Sequence, residues 1–345
     1  MAKKLKKLDQ QVIVLTGATS GIGLATARMA AEAGAKLVLV ARDGDALDTL
    51  AHEMRQRGVE VATVAADVGE TADVERIGKE AIARYGRIDT WINNAGGSVY
   101  GTNEQVPLAD MERVMQTNLW GCVNGSLEAV KRMKASGGGA LINVGSEVSD
   151  RSIPLQGTYA ASKHAIKAFT ESLRMELDKE NAPISVTLVK PSAIATPFAE
   201  HAKNYMEHEP ALPPPNYAPE IVAEAILHAA VKPERELFAG GHAKAASVLG
   251  GLLPRGMDRF MRGTMFDQQQ SDKPSRAGRK DALHSPDPAQ ELRSRNRSPA
   301  HVSESSPYTA FELKPASLKA ALVGGVLLAG WALAGRPGLR KTWKA

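Results

Sequence analysis

Val12-Ile13-Val14-Leu15-Thr16-Gly17-Ala18-Thr19-Ser20-Gly21-Ile22-Gly23-Leu24 opens the ordered pattern of the chain. Residues 12–15 are a short apolar run, ended by a glycine-rich turn, and an apolar helix over about 21–33 follows at once. Strand, glycine turn and helix in that order is the setting in which glycines matter. They permit a tight turn and let backbone N–H groups approach a pyrophosphate at the positive end of the helix. The spacing Gly-x-x-x-Gly-x-Gly differs from the commoner Gly-x-Gly-x-x-Gly fingerprint. An ordinary βα turn is the competing reading at this point.

Outward from that turn the chain alternates. Further strands are expected over 36–40, 59–65, 88–93, 140–144, 184–189 and 237–239. Helices are expected over about 45–57, 70–85, 108–134, a stretch running through 177, and 219–231. Such alternation implies an α/β fold, a Rossmann-like doubly wound parallel sheet of about seven strands with helices on both faces. Ligands of such sheets sit beyond the carboxyl ends of the strands. Gly17 to Gly23, Arg42, Asp67, Asn94, Ser146 and residues 191–196 all fall there, which argues for one site.

Two details sharpen the chemistry. Arg42 follows the second strand, where an acid would bind a ribose 2′-OH and an arginine a 2′-phosphate. This points to NADP(H). Asp43 keeps NAD(H) open, although it is better placed to start the next helix. Tyr159 and Lys163 stand four residues apart on a helix and so share one face. A phenol keeps its proton up to a pKa of about 10, and a nearby ammonium lowers that value, so the pair can exchange protons near neutral pH.

Together these motifs resemble the short-chain dehydrogenase/reductase family over roughly residues 11–240. The resemblance rests on Thr16-Gly17-x-x-x-Gly21-x-Gly23, Asp67-Val68, Asn93-Asn94-Ala95-Gly96, Asn118, Ser146, Tyr159-x-x-x-Lys163 and Pro191-Ser192-x-x-x-Thr196. Ser192 departs from the pattern, since many relatives carry glycine after the proline. The resemblance implies hydride transfer between a nicotinamide and a carbonyl or alcohol. Tyr159 would be the acid/base, Lys163 would lower its pKa and hold the nicotinamide ribose, Ser146 would position the substrate oxygen, and Asn118 would support a water. It implies cofactor contacts from Gly17, Thr19, Ser20, Gly21, Ile22, Gly23, Arg42, Asp67, Val68, Asn94, Ala95, Gly96, Tyr159, Lys163, Ile194 and Thr196. A homo-oligomer, at least a homodimer, is implied as well.

Composition bounds the rest. The 345 residues carry 43% apolar side chains, 31 glycines and one cysteine, Cys122. A single cysteine excludes an intrachain disulfide framework and cysteine-based zinc. His201 and His208 lack clustered carboxylates, so no metal is expected. The net charge of +5 is interleaved with acids along the chain, which argues against a nucleic-acid partner. Residues 1–10 are a basic arm without an apolar secretory core. Residues 11–263 should form the catalytic domain, placed in the cytoplasm. Residues 264–315 are rich in Ser, Pro, Gln, Arg and Asp and read as a disordered linker. Residues 316–335 read as an apolar helix, either membrane-associated or docked on protein, followed by a basic tail over 336–345.

Overall fold

The computed structural model describes residues 3–276, 278–286, 292–297, 301–315 and 317–319. Seven parallel strands form its sheet: β1 (Val12–Thr16), β2 (Lys36–Ala41), β3 (Val61–Ala65), β4 (Thr90–Asn93), β5 (Gly139–Val144), β6 (Ile184–Pro191) and β7 (Glu236–Ala239). The order across the sheet is β3-β2-β1-β4-β5-β6-β7. The chain leaves β1 toward one edge and returns through β4 toward the other, so the topological switch lies between those two strands. A cleft opens there at the strand ends.

Strand β1 is buried throughout because helices cover both faces. Ile13 and Leu15 join one apolar cluster with Leu24 and Ala27 of α1 (Gly21–Glu32), Leu47 and Leu50 of α2 (Gly44–Gln56), and Val222 and Ile226 of a helix over Pro219–Val231. Val12 and Val14 point the other way, toward Ile77 of α3 (Thr71–Tyr85), Ala129 and Met133 of a helix over Gly121–Ser136, and Leu173 and Leu177 of a helix over Gly157–Lys179. The period-two alternation of one strand thus fills two cores. In chain order the last three helices are α8, α5 and α6, with α4 (Leu108–Met115) before α5 and a short α7 (Phe198–His201) before α8.

The expected helix over 108–134 is interrupted. A π turn at Gln116–Trp120 separates α4 from α5, and Asn118 lies inside it. Such turns widen a helix locally and commonly accompany functional sites. The basic arm lies against the domain, with Lys3 paired to Asp178 at 2.6 Å and Lys6 to Asp89 at 3.3 Å.

The C-terminal region differs most from expectation. Helix α9 (Gly241–Leu252) leads to α10 (Pro254–Gln268), which runs past residue 263. The described part of 264–315 is not a disordered linker. Gln270–Pro274 pairs antiparallel with His208–Pro210, Val302–Ser303 pairs parallel with Asn216–Tyr217, and α11 (Pro307–Glu312) packs beside β7. The physical reason is that this segment orders on the domain rather than on itself. Met265 and Leu283 are buried, Leu292, Val302 and Leu313 are half-buried against the core, and its arginines meet acids of the domain. Residues 316–335 and 336–345 lie outside the described residues except for 317–319. Among the described residues no helix is long and apolar enough to cross a membrane.

Candidate active site

The glycine turn closes onto the fourth strand. Gly17 and Gly21 have φ of +69° and +54°, values that L side chains seldom adopt. A Cβ on Gly23 would lie 1.9 Å from the Gly17 carbonyl, so glycine there lets α1 approach the turn. Asn94 pins the turn from the other side, its amide donating to the carbonyls of Thr16 at 2.9 Å and Gly17 at 3.2 Å. The resulting cradle has room for an extended ligand along the strand ends. It fits a dinucleotide: Gly17 and Gly21 line it, and a β-carbon on either would press on Ala95 and Asn94 or on Thr196 across the cleft.

Two cavities adjoin the cradle. The larger, about 570 Å³, is lined by Gly17, Ser20, Gly21, Ile22, Asn94, Ala95, Gly96, Ser146, Tyr159, Lys163, Ile194 and Thr196. The smaller, about 140 Å³, takes Thr19, Arg42, Asp67 and Val68, with Gly17, Ser20, Ala95 and Gly96 shared. The expected residues therefore converge on one cleft, apart from two. Gly23 packs behind it. Asn118 is buried beside it, accepting from Gly97 N at 2.9 Å and donating to Gly97 O at 2.9 Å and Ser162 Oγ at 3.0 Å.

Asp43 caps α2 by accepting from Ala46 N at 3.0 Å. Its carboxylate is thereby committed to the helix start. Arg42 reaches the smaller cavity, and a second guanidinium accompanies it. Arg113 of α4 pairs with Asp67 at 2.5 Å and donates to the Leu283 carbonyl at 3.1 Å. Nothing in the sequence flagged Arg113. It lines neither cavity and sits behind Asp67 on a helix whose own pattern carries no cofactor signal.

At the other end Tyr159 lies beside Phe198, ring centroids 5.2 Å apart. Lys163 Nζ sits 5.7 Å from the Tyr159 ring centroid and donates to Val144 O at 2.8 Å. The expected lowering of the phenol is not what this arrangement produces. Burial pushes Tyr159 up to about 12, the Ser146 hydroxyl opposes the rise and the Glu147 carboxylate adds to it. Burial also lowers Lys163 to about 8. With the ammonium held on the Val144 carbonyl, desolvation is dominant.

Glu147 is a further residue that the sequence reading passed over, although its place beside Ser146 was a signal. Burial pushes its carboxyl up to about 7, opposed by the Ser192 hydroxyl, which donates at 3.0 Å. The serine that replaces the customary glycine therefore has a partner. Beyond Tyr159 the larger cavity becomes apolar, with Val148, Ile153, Leu249, Phe260 and the methionines 257, 261 and 265 along its wall. Tyr100 lines it too, and its buried hydroxyl has no hydrogen-bond partner among the described residues. Cys122 is buried and its thiol is pushed up to about 12 by desolvation, which suits packing rather than nucleophilic chemistry. Among the described residues no cluster of His, Cys, Asp and Glu could hold a metal.

Comparison with known proteins agrees with this geometry. The short chain dehydrogenase family profile matches residues 11–207. An uncharacterised oxidoreductase of Bacillus subtilis, YxnA, is 47% identical over 335 residues, spanning 96% of this chain and 93% of the relative. Among solved structures, a short-chain dehydrogenase/reductase of Burkholderia phymatum in complex with NAD aligns with a TM-score of 0.66 at 25% identity, over 79% of this chain and all of that one. A gluconate 5-dehydrogenase of Burkholderia cenocepacia in complex with NADP and tartrate gives 0.59 at 26% identity, over 69% and 97%. By the extent of these matches, and by a glycine cradle, serine, tyrosine and lysine gathered at one strand-end cleft, the chain belongs to the short-chain dehydrogenase/reductase family of oxidoreductases.

Proposed function

We propose that the protein interconverts a carbonyl and an alcohol on a small apolar molecule, using NADP(H) in preference to NAD(H). The observation that carries this reading is the convergence of the Ser146 and Tyr159 hydroxyls on the wall between the cradle and the apolar cavity. A nicotinamide supplies the hydride donor or acceptor when bound. Relatives solved with NAD and with NADP support such a cofactor. Gly17, Thr19, Ser20 and the start of α1 would hold its phosphates, and Ile194 and Thr196 would border the nicotinamide.

The chain's own groups do the remaining work. Reduction of a carbonyl develops negative charge on oxygen, and two fixed hydroxyl donors stabilise it where little water reaches. Tyr159, with its pKa raised, holds its proton at neutral pH and can deliver it to the developing alkoxide. A ribose bound against Lys163 would draw its ammonium from Val144 O, and the charge would then ease loss of the phenol proton. Asn118 Oδ1 accepts once from Gly97 and keeps a second lone pair, to which a water can donate.

Arg42 at the ribose end and a capping role for Asp43 support the NADP(H) preference. Turnover of a carbonyl panel with NADPH and NADH tests the reading. Long-chain or polycyclic ketones should turn over with NADPH, whereas turnover confined to polar sugars, or a preference for NADH, would defeat it. Exposed apolar side chains on α5 and α6, Leu127 and Met175, with Trp120 beside them, support pairing with a second copy. Light scattering that reads a monomer at micromolar concentration would end that part.

A further inference from the structure

The smaller cavity has a wall that does not come from the dinucleotide fold. Residues 278–286 of the C-terminal segment cross the strand ends beside Arg42, and Ala282, Leu283 and Pro286 line the cavity opposite Val68. Arg42 donates from Nη1 to Leu283 O at 3.0 Å and from Nη2 to Ala282 O. Arg113 donates from Nε to the same Leu283 carbonyl at 3.1 Å and from Nη2 to Asp67. A guanidinium has five N–H donors in a rigid fork. The segment and Asp67 thus fix the planes of both arginines while leaving three donors on each for something else.

Contacts with the domain anchor this segment. The Leu283 side chain is buried against Val99, Val106 and Val114. Arg279 donates to the carbonyls of Ala199 at 2.7 Å, Glu200 at 2.9 Å and Ala202, and pairs with Glu209 at 2.9 Å. His284 pairs with Asp110 at 2.7 Å. Farther along, Arg293 O accepts from Gly21 N at 3.0 Å and Asn296 N donates to Ala195 O at 3.2 Å. Residues 292–297 therefore bridge from the start of α1 to the loop after β6.

We infer that residues 278–286 are part of the cofactor site: they close the adenosine pocket and orient Arg42 onto a 2′-phosphate, with Arg113 and Asp67 bracing the segment from behind. The inference rests on the proposed use of a nicotinamide dinucleotide. A guanidinium held by two carbonyls cannot swing into solvent, so the charge of Arg42 stays at the ribose end of the cavity. A dianionic phosphate there would receive charge-assisted hydrogen bonds that a 2′-hydroxyl could not match. Selectivity for NADP(H) would then depend on a segment some 240 residues beyond Arg42 in the chain. Exchange of the nucleotide would require that segment to lift.

Two substitutions loosen the anchors without touching a donor of the pocket, Leu283→Ser and Arg279→Ala. Binding is measured by titrating full-length protein with NADPH and with NADH, alongside far-UV dichroism and thermal melting. Each variant that remains folded should lose about tenfold or more of its affinity for NADPH and less than about threefold for NADH, since only the former needs the oriented Arg42. In the wild-type protein, hydrogen exchange of 278–286 should slow on adding adenosine 2′,5′-bisphosphate and respond less to ADP. Equal losses for the two cofactors, or exchange in 278–286 that is unchanged or faster with the bisphosphate, would overturn the inference while leaving the proposed function intact. Wild-type protein that binds neither NADPH nor NADH would instead overturn both.

Discussion

The sheet and the C-terminal segment are held by different physics. In the sheet, β1 places Ile13 and Leu15 on one face and Val12 and Val14 on the other, and every one of them is buried. Burial of that kind is roughly proportional to area and worth about 1.5–3 kcal/mol per large apolar side chain. It leaves a period in the sequence. Residues 278–286 and 292–297 are held instead by Arg279, Arg293 and Arg295 on carbonyls and acids, with Leu283 and the half-buried Leu292 as apolar pegs. Each such contact contributes little alone and needs a partner far away in the chain. The contrast shows how a segment too polar to fold by itself can still complete a site.

That contrast should break most visibly at Tyr159. Tyr159→Phe removes a proton donor from the cleft and nothing from either core. Turnover should fall about 10²–10⁴-fold, the usual worth of general acid–base catalysis. NADPH affinity and melting temperature should hold. A variant retaining more than about a tenth of wild-type activity would show that the hydroxyl is not the acid.

Glu147 offers a smaller effect with a definite sign. Its carboxyl sits at about 7 in the folded protein against 4.5 ordinarily, because burial disfavours the charge. The folded state therefore binds this proton more tightly than the unfolded chain. The stabilisation is fully present below about pH 4.5 and is lost as pH rises through 7. Glu147→Gln should raise unfolding stability at pH 8 by up to about 3 kcal/mol, reduced by the edge that Glu147 exposes to the cavity. At pH 4.5 the gain should vanish. Urea unfolding at both pH values decides it, and an equal gain at the two would sink the assignment.

Which parts were legible follows from the same division. Tyr159 and Lys163 are four apart on a helix, Gly17 to Gly23 follow a strand at once, and Asp43 precedes a helix. All three are local relations, and the structure places each near its expected position. The π turn at Asn118 was not legible, because a single inserted residue does not disturb apolar spacing enough to show. Arg113 was missed for a different reason. It joins Arg42 only through the packing of α4 beside Asp67, a long-range relation with no local signature. Low apolar content over 264–315 reads as disorder, which the described part of that stretch does not show. That rule holds for a segment left to itself, whereas this one borrows its buried contacts from the domain. The lowered phenol expected at Tyr159 failed on burial, which spacing alone cannot report.

The mildest substitution addresses the far end of the segment, where α11 meets the sheet. Thr309 is buried, and its hydroxyl accepts from Gly240 N at 2.9 Å and bonds Ser306 Oγ at 3.0 Å. Glu312 accepts from Phe238 N at 3.0 Å one turn later, so α11 satisfies two backbone donors at the edge strand β7. Thr309→Val keeps shape but strands the Gly240 N–H beneath the helix. A buried donor left unsatisfied costs about 1–3 kcal/mol, and Val lowers the helix propensity of α11 little relative to Thr. The expected result is a loss of about 1–2 kcal/mol in a single cooperative transition, read by urea unfolding with dichroism of the whole protein. If α11 were merely tethered, the substitution would leave the midpoint unchanged, because the sheet would not notice its departure. An unchanged midpoint would return this part of the segment to the status of a linker. A loss of the expected size would show that the polar wrap and the apolar sheet unfold as one unit.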